Sequence, residues 1–524
     1  MNKKTLSILT LIVLVSGAIS FCLLTRGHSW LDDFAAYIMQ AKSILDGTMG
    51  EFVRRNAFTV SASSYPPGPA AYPWGFPLLL APVYAIFGMN TLAFKLVNTL
   101  FYALFLIVLF ALARTRLKDG EALLLTAALA FNPALLLAHD QIISDIPFLF
   151  FCTLGIFLLH RTQDGVVEKS KPSPQSSQRS TKENLKSSSF VLLRVLRGKE
   201  LFFWGVASGV AIFAASFIRT NGILLLIPLA LTQLIQLWPQ RRSLSLALLK
   251  PVIVPYLTFG VLFAAQMLIF PNGQDSYLSH FSMFSLQGLW DNFLYYLWLP
   301  SWTFGEIPLG AALYPLLLVF VVVSAINTLR ARCRRSRDLP IHAFSLATVA
   351  MFILWPERQG LRFIYPVLPF LLLFAFDGMT LAVASLQAGW RKPAGRVLTG
   401  FWLLLIVVSF GVSFGYAREN LSADRAINGP FDPVSAEMFA FVREKTPSQS
   451  VVIFFKPRAL RLFTDRDSFM TDRCADLPKG DYLALSEKVG DNGQIAPEAI
   501  SSCTEVKLEE VFNNRRFIIY KILR

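Results

Sequence analysis

The chain alternates between long apolar runs and short polar breaks. A helix needs about 20 apolar residues to cross about 30 Å of hydrocarbon. Runs of that kind fall at 5–25, 91–113, 121–138, 143–160, 202–218, 221–238, 244–270, 307–329, 341–355, 362–386 and 397–415. They predict an all-α polytopic membrane protein with about eleven transmembrane helices, occupying residues 1–415. The first run follows Lys3-Lys4 and is too long for a signal-peptide core, so it reads as a retained helix. Between the first two runs lies a long loop, 26–90, whose apolar end at Phe87-Gly88 is too short to span and predicts a helix in the interface. The segment 161–201 is rich in Ser, Lys, Pro and Gln, buries too little apolar surface to fold, and predicts a disordered cytoplasmic linker.

After residue 415 the pattern changes. Residues 416–524 carry mixed charges and alternating apolar positions with no spanning run, which predicts a small α/β domain. Pro433 to Lys445 has helical spacing behind a first-turn proline. Ser450 to Phe455 reads as a buried strand. Val506 to Phe512 and Arg515 to Leu523 flank Asn513-Asn514 as a hairpin.

Composition agrees with this reading and excludes a soluble protein. Hydrophobic residues make up 54% of the 524, charged residues only 16%, and mean hydropathy is +0.50. A net charge of +15 would suit a nucleic-acid partner, but the cations cluster in short loops between the runs, where they set topology and meet lipid headgroups. With the N-terminus inside, about 25 Lys and Arg fall on the cytoplasmic side against about 7 on the other. The expected placement is a multi-pass plasma (inner) membrane protein with a cytoplasmic N-terminus and an extracytoplasmic C-terminal domain. Five cysteines show no metal-binding spacing. Cys474 and Cys503, both in the tail, are either a disulfide or two free thiols.

The loop 26–90 carries the strongest chemical signal. Asp32-Asp33 stand just outside the first helix, where a membrane-bound general base would sit, although two acids there also suit the capping of a following helix. The string Asp32-Asp33-x-x-x-Tyr37-x-x-x-Ala41…Gly47, then Tyr72-Pro-Trp74-Gly-Phe-Pro77 and Phe87-Gly88, resembles the first external loop of the GT-C glycosyltransferases. That superfamily includes the protein O-mannosyltransferases and the bacterial aminoarabinose transferases that modify lipid A. The likeness extends as a helix pattern over about residues 5–370. It implies that Asp32 is the catalytic acid; Asp33, which stands where a Glu is usual, is a catalytic candidate beside it. Ser144-Asp145-Ile-Pro147 resembles the acid-x-Pro opening of the fourth helix, and Asp145 becomes a second catalytic candidate, with helix-end capping as the alternative.

Arginines at an external interface run against the charge asymmetry, and a phosphate partner or snorkelling to lipid would explain them. Arg219 lies in a tight turn between two runs. Glu357-Arg358-Gln-Gly-Leu-Arg362-Phe-Ile-Tyr365-Pro366 resembles the Arg-Tyr-x-x-Pro opening of the superfamily, with Arg362 at the arginine position. Arg362, Arg358 and Arg219 are the candidates for donor phosphate. His139, Asp140, Tyr72, Trp74, His280 and Glu306 are weaker candidates for the substrate pocket, and the aromatic residues of 271–306 suit either an interfacial belt or a sugar floor.

The resemblance implies an inverting enzyme that takes a sugar from a polyprenyl-phosphate donor to a hydroxyl of a glycan, lipid or protein. Its partners would be that donor, the acceptor and membrane lipids, with no nucleic acid. Some members use a divalent cation and others do not, so the cofactor stays open. The alternatives are a lipid-linked glycan ligase or polymerase, and a transporter or flippase. The last would carry ionisable groups at mid-membrane, where Lys95 and Asp377 come nearest and read as helix-end residues.

Overall fold

The structure is a computed structural model that describes residues 2–65, 67–167, 202–238, 246–273, 285–330, 332–487, 493–504 and 506–523. A first helix, α1 (Lys3–Leu23), is followed by a cluster of α2 (Asp33–Asp46), α3 (Met49–Ala62) and α4 (Gly75–Phe87). Then come α5 (Thr91–Ala113), α6 (Asp119–Ala130), α7 (Pro133–Leu137), α8 (Asp145–Val167), α9 (Phe202–Ile218), α10 (Leu226–Leu237), α11 (Leu246–Ile269) and α12 (Leu286–Trp298). The series closes with α13 (Gly310–Arg330), α14 (Arg332–Leu354), α15 (Leu368–Ser385) and α16 (Ala388–Ser422).

Among the described residues, eight helical segments are long and apolar enough to cross a membrane. A ninth forms if α6 and the stretch Pro133–Asp140, bent by 51°, count as one broken span. The bend falls at Asn132, whose side chain leaves the helix ladder to cap α7 at Leu135 N and to hold the Thr303 carbonyl. The remaining two of the eleven predicted runs are α9 and the stretch Asp338–Leu354, both apolar but shorter. The α13–α15 pair packs closely because Gly378 has no Cβ: one there would overlap the Phe320 carbonyl oxygen.

Three expectations need correction. Helix α8 runs to Val167, beyond the predicted linker start at 161, while 168–201 lie outside the described residues. Helix α16 continues to Ser422, so residue 416 sits inside a helix and not at the start of a new unit; polar side chains of Arg418, Glu419 and Asn420 extend it past its apolar part. Asp377 lies midway along α15, buried, and accepts a hydrogen bond from Ser324 Oγ at 2.7 Å. Lys95 does lie near a helix end, in the second turn of α5.

The C-terminal unit is a five-stranded sheet flanked by α17 (Pro433–Lys445) and α18 (Pro457–Thr464). Asp432 caps α17 through Ser435 N at 2.7 Å, ahead of Pro433 at the first helical position. Strands β1 (Val451–Ile453), β2 (Asp467–Phe469), β3 (Tyr482–Ser486), β4 (Lys507–Asn513) and β5 (Phe517–Leu523) lie in the order β2-β1-β3-β5-β4. Strand β1 pairs parallel with β2 and β3, and α18 is the crossover from β1 to β2. The β4–β5 hairpin is antiparallel, with a register shift between Glu510 and Phe512. Cys474 and Cys503 are joined by a disulfide.

The two parts are stitched together by aromatic packing. Trp30, between α1 and α2, inserts among Phe439, Phe454, Phe455 and Phe517 of the C-terminal core, with ring centroids 5.1–6.2 Å apart. Full burial of a large apolar side chain contributes about 1.5–3 kcal/mol, and the half-buried Trp30 a part of that. It sets α18 directly over the start of α2.

Candidate active site

Residues 29–32 form a tight approach to α2, with Leu31 N bonded to the Ser29 carbonyl at 2.7 Å. Asp32 is the residue before α2, yet its carboxylate does not cap that helix. It turns instead to the N-terminus of α18. Oδ1 accepts from the backbone N–H of Arg458 at 3.1 Å and of Ala459 at 3.3 Å. The first N–H groups of a helix have no partner within it, and its positive end favours an anion. Oδ2 is buried with no hydrogen-bond partner among the described residues, and Arg458 Nε lies 3.7 Å from it. Burial raises the Asp32 pKa above the usual carboxylate value, against the opposing pull of Arg458 and Lys456.

Asp33 has the opposite environment. Its Oδ1 accepts from Tyr72 Oη at 2.7 Å, and its Oδ2 from Arg362 Nη2 at 2.9 Å. Burial would raise its pKa, but Arg362 and the Tyr72 hydroxyl together hold it below the usual range. Two neighbouring carboxylates are thereby driven apart, one toward proton uptake and one toward permanent charge. Arg362 arrives on the short helix Leu361–Ile364 that precedes α15.

A second ion pair lies alongside. Arg219, in the extended turn after α9, bonds Asp145 at the start of α8, and Asp145 is almost wholly buried. Tyr37 and Ser144 share a hydrogen bond of 3.1 Å beside it. The Phe363 ring lies between the two guanidinium groups, 4.6 Å from Arg219 and 4.9 Å from Arg362. Arg358 is half-exposed, with Nε 3.4 Å from Asn292 Oδ1 and its charge over Tyr295.

One cavity of about 1150 Å³ takes in Asp32, Asp33, Tyr37, Tyr72, Arg219, Arg358, Arg362 and Lys456. It exceeds the usual range for a small-molecule pocket, about 300–1000 Å³, and so has room for two substrates. A proton acceptor at its floor and several cations on its walls suit a reaction that takes a proton from one partner and leaves negative charge on the other.

Asp145 stands behind this cavity, not on it, and reaches it through Arg219. Four pocket candidates are placed elsewhere. His139 is buried among helices, its Nδ1 2.6 Å from Ser20 Oγ. Asp140 takes the buried Lys95 ammonium at 2.7 Å and the Thr25 N–H at 2.6 Å, locking the end of α1 to α5. Trp74 donates to the Pro271 carbonyl at 2.9 Å and stacks on Phe270. Glu306 accepts from Tyr416 Oη at 2.5 Å at an exposed position. In each, a local polar partner has claimed the group. His280 lies outside the described residues. No group of three or more His, Cys, Asp or Glu is gathered among the described residues.

The residues that sequence reasoning missed come from the C-terminal unit: Lys456, Arg458 and the N–H of Ala459. Arg458 is fully buried and donates to Asn56 Oδ1, to the Pro67 and Pro69 carbonyls, and to Tyr72 Oη. A basic residue in a 3.6-period apolar stretch carries no local sign of such a partner more than 380 residues away.

Fold and apolar spans together define a polytopic helical membrane protein bearing a docked C-terminal sheet unit. Residues 72–183 match the family model of dolichyl-phosphate-mannose-protein mannosyltransferase. No curated protein matches the chain by sequence. Among solved structures the chain is similar to ArnT from Cupriavidus metallidurans bound to undecaprenyl phosphate, at 16% identity and TM-score 0.57, over 98% of this chain and 97% of that one. It is also similar to the archaeal oligosaccharyltransferase AglB from Archaeoglobus fulgidus in complex with an inhibitory peptide and a dolichol-phosphate. That match has 12% identity and TM-score 0.52, over 89% of this chain and 64% of that one. At such identities the likeness is one of fold, and the fold is that of the GT-C glycosyltransferases, as the first external loop suggested.

Proposed function

We propose that the protein is a glycosyltransferase that moves a sugar from a polyprenyl phosphate to an acceptor hydroxyl at the extracytoplasmic membrane face. The observation that carries this reading is the pair Asp32 and Asp33: adjacent acids on one cavity, with one oxygen of Asp32 in no hydrogen bond among the described residues and Asp33 ion-paired to Arg362. Two solved relatives of the fold hold undecaprenyl phosphate and dolichol-phosphate, which supports a lipid-phosphate donor. The asymmetry of Lys and Arg supports the side of the membrane.

In this mechanism the acceptor hydroxyl gives its proton to Asp32 Oδ2 as its oxygen bonds the anomeric carbon. The bond from that carbon to the phosphate oxygen breaks, and its electron pair stays on the phosphate. A single displacement inverts the anomeric centre. The additional charge on the lipid phosphate is met by Arg362 and Arg219, with Arg358 at the rim; their forks suit phosphate oxygens. Asp33 and Asp145 hold the two inner arginines in place before the donor arrives. A proton acceptor with a raised pKa is the better base for this task.

The test uses the full-length protein in lipid nanodiscs. Undecaprenyl phosphate is expected to bind, and a panel of polyprenyl-phosphate sugars is expected to include one whose sugar passes to an envelope acceptor. Absence of both binding and transfer rejects the reading.

A further inference from the structure

The contacts of α18 with Asp32 cross from one structural unit to the other, and none of them belongs to the transfer step itself. Asp32 Oδ1 is held by two backbone N–H groups of α18, while Oδ2, on the same cavity-lining residue, makes no hydrogen bond among the described residues and has Arg458 Nε 3.7 Å away. The Arg458 guanidinium fills the space behind. Its Nη2 donates to the Pro69 carbonyl at 2.6 Å and its Nη1 to that of Pro67 at 3.0 Å. Those carbonyls lie in a Pro-rich loop that forms no ladder, so a buried arginine satisfies them. Gly68 between them has φ +125°, and a Cβ there would come 2.7 Å from Tyr72 Oη and 3.1 Å from Arg458 Nη1. Only glycine lets the loop close over the guanidinium. The same Nη1 reaches Tyr72 Oη at 3.2 Å, and Tyr72 donates to Asp33. One side chain of the C-terminal unit thus touches the surroundings of both acids.

We infer that the first turn of α18, through Arg458 and Lys456, is a positioning element for Asp32, so that the base is competent only when the C-terminal unit is docked. This rests on the proposed function above. Arg458 is a positioning residue: it meets no substrate and acts by fixing the orientation and charge of Asp32. The charged groups that bear on Asp32 are Arg458, Lys456 and Arg461 from α18 and Asp33 beside it. The three cations stabilise the carboxylate, and Asp33 opposes them. Removing a cation therefore raises the pH at which Asp32 loses its proton.

The experiment reads Asp32 directly in the full-length protein in nanodiscs containing undecaprenyl phosphate. Infrared difference spectra against pH are recorded, and the carboxylic-acid band missing from Asp32→Asn marks this residue. In Arg458→Gln the midpoint of that band is expected to rise by about one to three pH units, the usual effect of losing a charge at such range. In Lys456→Gln, a half-buried change that spares the core, a smaller rise is expected. Retention of the Cys474–Cys503 disulfide and an unchanged melting profile report the fold. A folded Arg458→Gln with an unmoved midpoint overturns the inference. Should Arg458→Gln fail to fold, Lys456→Gln decides: a rise supports the inference and an unmoved midpoint overturns it. Full turnover in Asp32→Asn would reject the proposed function and leave the infrared result on Asp32 standing by itself.

Discussion

Asp32 carries two roles that one pair of substitutions separates. Asp32→Asn keeps an oxygen that can accept from Arg458 N and Ala459 N, now at 3.1 and 3.3 Å, and removes only the charge and its basicity. Loss of a negative charge at a helix N-terminus costs about 0.3–1 kcal/mol, and up to about 2 kcal/mol where partly buried. Removal of a buried charge gives some of that back. The protein is therefore expected to stay folded, with a change in stability of no more than about 2 kcal/mol. Turnover should fall by about 10²–10⁴-fold, the usual contribution of a general base, equivalent to about 3–5 kcal/mol of barrier. Asp32→Ala removes the oxygens as well. It should lose turnover to the same degree and a further ~1 kcal/mol of stability, the usual worth of a capping side chain. The assay is single-turnover sugar transfer in nanodiscs, with undecaprenyl phosphate binding and thermal unfolding measured on the same samples. Turnover of Asp32→Asn within a few-fold of the parent would refute the base. Equal melting of the Asn and Ala variants would refute the capping of α18.

Four further outcomes are expected. Arg362→Gln removes a charge-assisted contact and should weaken undecaprenyl phosphate binding by at least about tenfold, read by direct titration. Lys95→Met leaves Asp140 without its buried partner; such a loss costs about 3–5 kcal/mol in full burial, and the partial exposure of Asp140 puts this pair at the lower end, checked by thermal unfolding. His28 is buried, accepting from Ile142 N at Nε2 and donating from Nδ1 to the Ser29 carbonyl; burial lowers its pKa to about 4 despite the opposing Ser29 contact. The neutral ring is the folded form, so its stabilisation is fully present above about pH 6.5 and is lost as pH falls toward 4, by on the order of 3 kcal/mol; an unchanged melting profile from pH 7 to 4.5 in parent and His28→Gln alike counts against it. Reduction of Cys474–Cys503 opens a loop with sequence separation 29 and should cost about 3 kcal/mol in the C-terminal unit, visible as a lowered midpoint with reductant.

Much of the spanning architecture was legible because hydrocarbon imposes a one-dimensional rule. Backbone groups in lipid must bond within their own helix, so each apolar run is a helix by itself. The helix at 433–445 was legible for a similar local reason, since Pro433 and its capping Asp432 mark the start without reference to anything distant. The short strands β2 and β3 escaped because Asp467–Phe469 has three residues and Tyr482–Ser486 is buried throughout, which leaves no alternation to read.

The site divides along the same line. Asp32 and Asp33 stood out by their place just past the first helix and by the resemblance of the loop to that of the GT-C enzymes, and the arginines at 219, 358 and 362 because they run against the charge asymmetry, Arg362 also by that resemblance. His139, Asp140, Trp74 and Glu306 looked equivalent in sequence, and only the folded packing gave each a partner that removes it from the cavity. The choice between Asp32 as cap and Asp32 as base was cast in terms of its own helix, because sequence shows only neighbours. Tertiary structure turned the carboxylate to a different helix, more than 420 residues along the chain. Sequence by itself determined most of the membrane spans, set by solvation of the local chain, and pointed to the acidic pair and the basic residues near it through position, charge asymmetry and resemblance. The burial of Arg458 and the grip of α18 on Asp32 exist only once the C-terminal unit has docked, and the opposed pKa directions of the two acids depend on that and on Arg362 and Tyr72 brought to Asp33 from distant segments.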